Sequence, residues 1–504
     1  MKTASMQGQR MNRTRVLFLA AALFLAFLIA YNIVHANPYL WLGILLFFLV
    51  LGIGRSNILG LYLIAGSIFF ADWLAALNII PSQMTLLPEI LIILYLFKSL
   101  LVKPKRMNPR FLLLLVPFLV TILVSLAINA GEEHFVTILF GFRSLFRYII
   151  LFYVIQILPY PDRGIKLFIK VLLILLVIQI PVAIIKLFIY GQGETAIGTY
   201  SEAGGTYSTI FPLIGISIFF GIFFFYRRNL WSILACAGFL AFGVIGEKRG
   251  LLFFFPLIVI YLMISVPRSE RFGRRAVSYV LLTILLGLGI WAPITFIDTL
   301  REDPVGYAIG YETATYGDQA TGRASTAKLI FQNLSSDTMT LLFGYGPGSF
   351  HKTIWSEYTG RIRRDAGGYG ILYGVSGFSW SALEFGYLGA ILFLIPIFYL
   401  YVVNKRFFRR LDDPYWKAMS FGLGGIIFTS LAINLVYSDF YRLDIPAFLL
   451  FFFGGLIYKL ESQGRLSPNE EPMPLAVPEG NTHPGRSSPA LEHLSRGKGS
   501  HFGA

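Results

Sequence analysis

Charged residues and cysteine are both scarce in this sequence. Asp, Glu, Lys and Arg together make up 14% of the 504 residues, whereas a soluble domain has about 25%. The single cysteine, Cys236, excludes an intramolecular disulfide and a metal site built from several cysteines. The remaining composition, 56% hydrophobic, indicates a polytopic membrane protein.

Apolar segments recur along the chain, most of them near the roughly 20 residues needed to cross a bilayer. We predict an all-α membrane protein with about 12–14 transmembrane helices. The first segment is interpreted as a transmembrane helix and not as a removed signal peptide, because no small-residue cleavage site follows it. The predicted segments are 16–33, 39–53, 57–77, 86–101, 111–128, 135–158, 166–189, 209–226, 231–246, 250–266, 277–297, 378–402, 416–436 and 443–459.

The formal net charge of +15 is concentrated in alternate connections between these segments. "KSLLVKPKRMNPR" and "NKRFFRR" are strongly basic, whereas "NAGEEH" contains no Lys or Arg. This alternation follows the positive-inside rule and argues against a nucleic-acid partner. It predicts a multi-pass protein of the cell membrane with both termini in the cytoplasm.

The same alternation divides the chain into five parts. We expect a cytoplasmic N-terminus at 1–15, transmembrane helices at 16–297 and a large extracytoplasmic loop at 298–377. Further transmembrane helices follow at 378–460. The tail at 461–504 is rich in Pro, Gly and Ser and is predicted to be disordered, because such a composition cannot bury a core.

Several cations break the charge rule, and an ionisable residue within a membrane span marks a functional site by default. Arg143 and Arg147 are four residues apart, so both should project from one helix face in the outer half of the membrane. They either snorkel to the outer headgroups or await an anion. Lys248 and Arg249, in the outer turn "GEKRG", are either a further anion site or a tolerated exception.

The outer loop and the connection after it contain more cations. Arg442 is expected to form salt bridges with Asp439 and Asp444. The loop cations are Arg301, Arg323, Lys328, Lys352, Arg361, Arg363 and Arg364. Because guanidinium groups bind phosphate oxygens in bidentate fashion, we expect an anionic ligand here, of which a pyrophosphate at the outer leaflet is the simplest.

A glycine-rich stretch, "FGYGPGSF" (343–350), interrupts this loop. It lacks the Lys-Ser/Thr of a nucleotide-binding loop, and its glycine spacing is not that of a dinucleotide site. Two interpretations remain. Gly344, Gly346 and Gly348 could form a turn that exposes backbone N–H groups to an anion, or they could form a rigid bend.

Two stretches, "TGRASTAKLIFQNLSSDTMTLLFGYGPGSF" (321–350) and "SALEFGYLGAILFLI" (381–395), resemble the O-antigen ligase and O-antigen polymerase superfamily. Its members have a Gly-Arg pair, a G-x-G-x-G turn and an acidic-x-Gly-x-x-Gly helix entry, and the likeness covers roughly residues 140–400. The matching residues are Gly322, Arg323, Gly344, Gly346, Gly348, Glu384, Gly386 and Gly389, with Arg249 matching a short Ser-Arg-Gly-like turn. Val375 and Ser376 stand where ligases usually have a His-Asn pair, which favours a polymerase or another branch of the superfamily.

This resemblance implies a metal-independent glycosyl transfer, with no cofactor, from a polyprenyl-pyrophosphate-linked glycan to a sugar hydroxyl at the outer face of the membrane. Polysaccharide export or chain-length proteins are candidate partners besides the bilayer. The residues expected to be catalytic are Arg323, Arg249, His351 and Glu384, the last two as alternative general bases. Those expected to bind substrate are Arg143, Arg147, Lys248, Gly344, Gly346 and Gly348.

Two other functions remain open at this point. One is a ligase that moves the finished glycan onto a lipid or another acceptor. The other is an anion or glycan transporter, which should contain broken helices with polar residues near the bilayer midplane.

Overall fold

The structure is a computed structural model that describes residues 52–102, 109–191, 193, 196–199, 206–246, 250–267, 272–296, 310, 313–316, 319–320, 322–351, 356–365 and 374–463. These residues form a helical assembly with one two-stranded sheet. The long helices are α1 (Asn57–Ala76), α2 (Leu87–Leu100), α3 (Arg110–Ile128), α4 (Phe135–Ile157), α5 (Asp162–Tyr190), α6 (Tyr207–Gly221), α7 (Leu230–Ile245), α8 (Gly250–Ser265) and α9 (Phe272–Phe296). A 3₁₀ turn (Ser82–Leu86) precedes α2, and a π-helical turn (Ile222–Tyr226) extends α6.

The second part of the chain begins with strands β1 (Thr315–Tyr316) and β2 (Gln319–Ala320), which pair antiparallel with Thr315 opposite Ala320. Three short helices follow, α10 (Arg323–Leu334), α11 (Thr338–Phe343) and α12 (Arg361–Arg364), with a 3₁₀ turn at Ser356–Tyr358. The last three helices are long: α13 (Gly377–Arg410), α14 (Pro414–Val436) and α15 (Asp444–Ser462).

Local sequence signals set several helix ends. The Asp413 carboxylate accepts the N–H groups of Tyr415 at 2.8 Å and Trp416 at 3.3 Å, and Pro414 occupies the first helical position of α14. Both features satisfy or remove donors that a helix start leaves unpaired. At the other kind of boundary, Gly191 ends α5 with φ of +80°, a conformation that glycine adopts without steric cost.

The expectation of an all-α chain with many apolar helices is confirmed at the level of the helices themselves. Ten of the described helices are long and apolar enough to cross a membrane, and Leu230–Ile245 and Gly250–Ser265 are shorter apolar helices. Each of the twelve predicted segments from 57 onward overlaps one of these helices. The predicted segments 16–33 and 39–53 lie outside the described residues, apart from 52–53.

Burial divides the long helices into central and peripheral ones. We compare the buried share of the most apolar 18 residues of each helix. It is 89% in α6 with its π turn and 83% in α15. In α9 the same fraction is 28%, and in α5 it is 33%. In α14 the fraction is 72%, so α6, α14 and α15 form the core against which the others pack.

The described part of the predicted loop 298–377 rests on the first turns of α13. Ile330, Leu334, Phe350 and Ile362 from the loop pack with Leu383 of α13 as a small core of their own. This described part of the loop is therefore folded against the start of α13.

α13 is broken near its start. Gly386 has φ of 70° and ψ of 173°, outside the helical region, within a helix that otherwise runs for 34 residues. The residues from 387 to 410 would span roughly 36 Å at 1.5 Å per residue, which is enough to cross a bilayer core of about 30 Å. The break therefore lies toward one end of the crossing segment.

Candidate functional site

The glycine turn is wedged between two helices at close backbone distance. Gly344, Gly346 and Gly348 all have positive φ, of 70°, 98° and 85°. A Cβ added at Gly348 would lie 2.4 Å from the Thr137 carbonyl oxygen on α4. A Cβ on Gly386, at the break of α13, would lie 2.0 Å from the Leu342 carbonyl oxygen just before the turn. Only glycine allows both the conformation and the approach.

Most of the turn's amide groups are used for this docking. The N–H groups of Tyr345 and Gly346 donate to the carbonyls of Leu383 and Glu384, at 2.8 and 3.1 Å, and the Gly344 N–H donates to Thr340 at 2.8 Å. Gly344 and Gly346 therefore do not direct their N–H groups toward a ligand. The turn has the geometry of the rigid bend, and it fixes the residues that follow it.

The acidic residue beside this break forms a buried charge network. Glu384 is 0% exposed, and its Oε2 accepts from Arg442 Nη2 at 2.6 Å. Its Oε1 accepts from Trp380 Nε1 at 3.2 Å. The Arg442 guanidinium also pairs with Asp439 and lies 4.9 Å from the centre of the Trp380 ring. Burial is the largest single influence on the pKa of Arg442 and lowers it. The neighbouring carboxylates together outweigh burial, so the pKa is raised.

A second network lies where α2, α4 and α15 meet. Arg147 Nη1 donates to Glu89 Oε1 at 2.5 Å, and its Nη2 pairs with Asp444. Glu89 and Asp444 each stand in the first turn of their helix, where the helix dipole favours a carboxylate. Tyr148 donates a further hydrogen bond to Asp444 at 3.1 Å.

Arg143 is less completely paired than Arg147. Its Nε lies 3.5 Å from Glu89 Oε1, and 29% of its side chain is exposed. Its Nη1 atom is buried without a hydrogen-bond partner among the described residues. Both arginines thus reach the same carboxylate from one face of α4, as their spacing predicted, but Arg143 is the more exposed of the two, at 29% against 8%.

The expected pairing of Arg442 is half right. Arg442 does pair with Asp439, three residues before it. Asp444, however, pairs with Arg147, and Arg442 contributes only its main-chain carbonyl there, which accepts from Arg147 Nη2 at 3.0 Å. Asp444 begins α15, and its side chain is therefore carried toward α4. The second carboxylate of Arg442 is instead Glu384.

His351 directly follows the glycine turn and lies close to these networks. Its main chain is held on both sides, with its N–H donating to Gly348 and its carbonyl accepting from Gly360, both at 2.9 Å. Its Nδ1 is buried without a hydrogen-bond partner in the part of the chain that the structure describes. Burial, reinforced by the positive charges of Arg442, Arg143 and Arg147, lowers the pKa of His351 to about 3. The imidazole is consequently neutral at pH 7.

Arg323 lies on the other side of the same connection between α14 and α15. Its Nε donates to the Tyr437 carbonyl at 3.0 Å, and its guanidinium lies 3.9 Å from the centre of the Tyr437 ring. This contact anchors the start of α10 to the helical core. Lys248 and Arg249 lie outside the described residues. Gly250, which follows them in sequence, packs against Tyr437, so that an added Cβ would lie 2.6 Å from the ring.

The structure thus brings together residues from four separate parts of the sequence: Arg143 and Arg147, the turn with His351, Glu384, and the connection containing Arg442. Sequence reasoning missed Glu89. The signal was available, since Glu89 is an acidic residue at the start of the apolar run "EILIILYLF", and such a residue is as unusual in a span as the arginines are. Among the described residues, no group of three or more His, Cys, Asp or Glu could hold a metal ion.

Comparison of the chain with protein-family models and with curated proteins found no match.

Proposed function

We propose that this chain is a membrane glycan polymerase, which transfers a glycan from polyprenyl pyrophosphate to a sugar hydroxyl at the outer face of the membrane. The observation that carries the proposal is the convergence of the family-like motifs. The G-x-G-x-G turn and the acidic-x-Gly-x-x-Gly entry are about 40 residues apart in the sequence, yet Gly346 donates to the carbonyl of Glu384 itself. Arg143 and Arg147, from the other end of the resemblance, lie beside them.

The orientation is part of this proposal. α2, α13 and α15 begin at the end that holds the two charge networks, and Arg147 contacts the starts of α2 and α15 from the middle of α4. Their opposite ends contain Lys98, Lys405, Arg406, Arg409 and Arg410. Because basic residues concentrate on the cytoplasmic side, we place the charge networks and the loop that covers them on the outer side of a cell membrane.

The reaction requires stabilisation of a departing pyrophosphate and removal of one proton. The acceptor hydroxyl oxygen attacks the anomeric carbon, the bond from that carbon to the pyrophosphate oxygen breaks, and the leaving group takes the electron pair. Arginine is suited to that developing charge, because it is always protonated and binds phosphate oxygens with two donors. Such electrostatic stabilisation is usually the largest single contribution to catalysis.

The pairing of the arginines decides which of them can act on the pyrophosphate. Arg143, Arg147 and Arg442 face four carboxylates, those of Glu89, Asp444, Glu384 and Asp439, so the centre of the cluster has no excess positive charge. We therefore place the pyrophosphate at the edge of the cluster. Arg143 is partly exposed there and contacts one carboxylate among the described residues, and the loop arginine Arg323 and the sequence neighbours Lys248 and Arg249 are the further candidates.

His351 is the better of the two candidate bases. Glu384 is fully buried and holds both Arg442 and Trp380, so protonating it would leave a buried guanidinium with one carboxylate fewer. His351 is neutral at pH 7, and its Nδ1 has no hydrogen-bond partner among the described residues. A bound pyrophosphate would raise its pKa, because a nearby negative charge favours the protonated form. Substrate binding would then prepare His351 to accept the proton.

The transporter hypothesis has one observation in its favour, the break of α13 at Gly386 beside the buried Glu384. Transporters place such breaks near the bilayer midplane, whereas here a full crossing length of helix follows the break. We therefore rank a transporter second. The ligase alternative uses the same chemistry with another acceptor.

The experiment uses the purified chain in liposomes with a polyprenyl-pyrophosphate-linked repeat unit. A ladder of glycan lengths with release of polyprenyl pyrophosphate is expected. Release that requires an added lipid acceptor and produces no ladder would identify a ligase. Uptake of the substrate without any release would identify a transporter.

Arg323→Ala tests the site within that assay. We expect transfer to fall by about 10²–10³-fold, the range seen when one charge-stabilising donor is removed. The matched control is Lys328→Ala, an exposed cation on the same helix, which should retain activity. Because Arg323 also anchors α10, the thermal unfolding midpoint of each variant is measured in parallel. Full activity of a folded Arg323→Ala protein would contradict the site assignment.

A further inference from the structure

A basic cavity lies at the end of the helices opposite the charge networks. It has a volume of about 660 Å³ and is lined by Arg163, Lys166 and Lys170 of α5, by Arg227 and by Asp413. α14 begins beside it at Pro414 and ends at Val436, next to Tyr437. At 1.5 Å per residue the two ends of α14 are roughly 33 Å apart, so the cavity lies at the other membrane surface from the proposed catalytic site.

The cavity has an excess of positive charge that the protein does not neutralise. Four of its lining residues are cations and one, Asp413, is an acid. Asp413 lies 3.8 Å from Lys166, whose ammonium is also 5.3 Å from the centre of the Tyr415 ring. Within the described residues, Arg163 and Lys170 form no ion pair and are exposed. This charge is therefore available to an anion from outside the chain.

A second, apolar cavity of about 590 Å³ continues from the first. Lys170, Leu173, Ile222 and Asn229 line both cavities. The second one is lined almost entirely by aliphatic and aromatic side chains: Ile174, Val177, Ile178, Ile180, Pro181, Phe219, Trp231, Leu234 and Ala235. The basic cavity is thus continuous with the apolar cavity.

The order of residues along α5 explains this continuity. Arg163, Lys166 and Lys170 are three and four residues apart and share one helix face. Leu173, Val177 and Pro181 continue the same spacing on that face. The chemistry of the face therefore changes from cationic to apolar with increasing distance from the helix start, over about 12 Å for the apolar part.

We propose that these two cavities bind one anionic phospholipid, with the phosphate among Arg163, Lys166, Lys170 and Arg227 and an acyl chain along the apolar groove. Charge complementarity selects an anionic headgroup, since basic pockets between helices at the membrane surface bind such lipids. The apolar groove selects a lipid over a soluble anion. Trp231, 76% exposed at the rim of the groove, is of the type enriched at the interface.

The test uses the full chain in phosphatidylcholine nanodiscs, with Trp231 as the reporter. Phosphatidylglycerol with brominated acyl chains is added as the quencher, and the Trp231 signal is the difference between the unaltered chain and Trp231→Phe. We expect brominated phosphatidylglycerol to quench Trp231 at a mole fraction at least tenfold lower than brominated phosphatidylcholine does. Equal quenching by the two lipids would overturn the proposal.

Two variants locate the preference in the basic cavity. Lys166→Gln with Lys170→Gln is expected to weaken phosphatidylglycerol binding by about 30-fold, from the loss of two cations near the surface. Arg406→Gln with Arg410→Gln removes two exposed cations at the same end that line neither cavity, and should leave binding unchanged. An unaltered preference in the first variant would overturn the assignment.

A soluble competitor separates a lipid from its headgroup alone. Glycerol phosphate carries the charge without the acyl chains, and we expect no relief of quenching by it. Displacement of the lipid by glycerol phosphate would show a soluble-anion site and reject the lipid. The unfolding midpoint of each variant in phosphatidylcholine shows that the chain remains folded. None of these residues belongs to the proposed catalytic site, so the result does not depend on the reaction catalysed there.

Discussion

The two ends of the helical assembly use the same residue types in opposite ways. At one end Arg147 and Arg442 are buried, and each contacts two carboxylates. At the other end Arg163 and Lys170 are exposed and form no ion pair among the described residues. A charge removed from water must be paired and hydrogen-bonded, whereas a charge at the membrane surface keeps its water and remains free to bind a ligand.

This difference in pairing separates arginines with a structural role from candidate ligand-binding arginines. Pairing with internal carboxylates makes Arg147 part of the framework that joins α2, α4 and α15. Arg143, one turn earlier on α4, contacts a single carboxylate among the described residues, which it shares with Arg147, and 29% of its side chain is exposed. Position within an apolar segment marks both as unusual, but only their contacts separate a framework residue from a candidate ligand.

Among the variants considered, removal of Arg147 should lower the free energy of unfolding most. Arg147→Ala leaves the buried Glu89 carboxylate and the partly exposed Asp444 carboxylate without their shared cation, and loss of one partner of a buried pair costs about 3–5 kcal/mol. We expect a correspondingly large fall in the free energy of unfolding, measured by thermal or denaturant unfolding in detergent.

The matched control at the opposite end is Arg163→Ala, for which we expect a change within about 0.5 kcal/mol, since Arg163 is exposed and forms no ion pair with any described residue. Equal stability losses in the two variants would show that the buried network does not hold the helices together.

Gly386→Ala tests the backbone contact at the end that holds the charge networks. The added Cβ would lie 2.0 Å from the Leu342 carbonyl oxygen, and alanine disfavours φ of 70°. Strain of this kind costs about 1–3 kcal/mol, so we expect a lower unfolding midpoint and a loop that protease cleaves faster.

Gly287→Ala is the control for that substitution, because a Cβ at Gly287 of α9 meets nothing within 4 Å. Unchanged protease sensitivity in Gly386→Ala would mean that the turn does not depend on the break of α13.

The smallest effect concerns the pH dependence of stability through His351. Its pKa is about 3 in the folded chain and about 6.5 in an unfolded one. Between these values the unfolded state binds more protons, so His351 should lower stability as the pH falls through 6.5. From pH 7 to pH 5 this amounts to about 1–2 kcal/mol.

His351→Asn should reduce that loss, and the measurement is the difference in unfolding free energy between the two proteins at pH 7 and pH 5. Glu133, whose pKa is raised by burial, and other carboxylates titrate in both proteins and cancel in the difference. An identical pH dependence in the two proteins would show that His351 is not buried beside the arginines.

The long helices could be predicted from the sequence. Apolar runs of crossing length predicted every described long helix from α1 onward, because in a bilayer only a helix satisfies its own backbone hydrogen bonds. The sequence also marked the unusual residues, Arg143, Arg147, Glu384 and the glycine turn, since charge and glycine both stand out against an apolar background.

The ion pairs that those residues form could be seen only in the tertiary structure. Arg147 and Asp444 are 297 residues apart, and Arg442 and Glu384 are 58 apart. Helix packing, not local sequence, sets which charges meet. The sequence alone therefore predicts that Asp444 pairs with the nearer Arg442, whereas in the structure it pairs with Arg147. The same applies to the glycine turn. Its sequence is compatible with amides that face a ligand, but in the structure carbonyls beside the break of α13 accept hydrogen bonds from these amides.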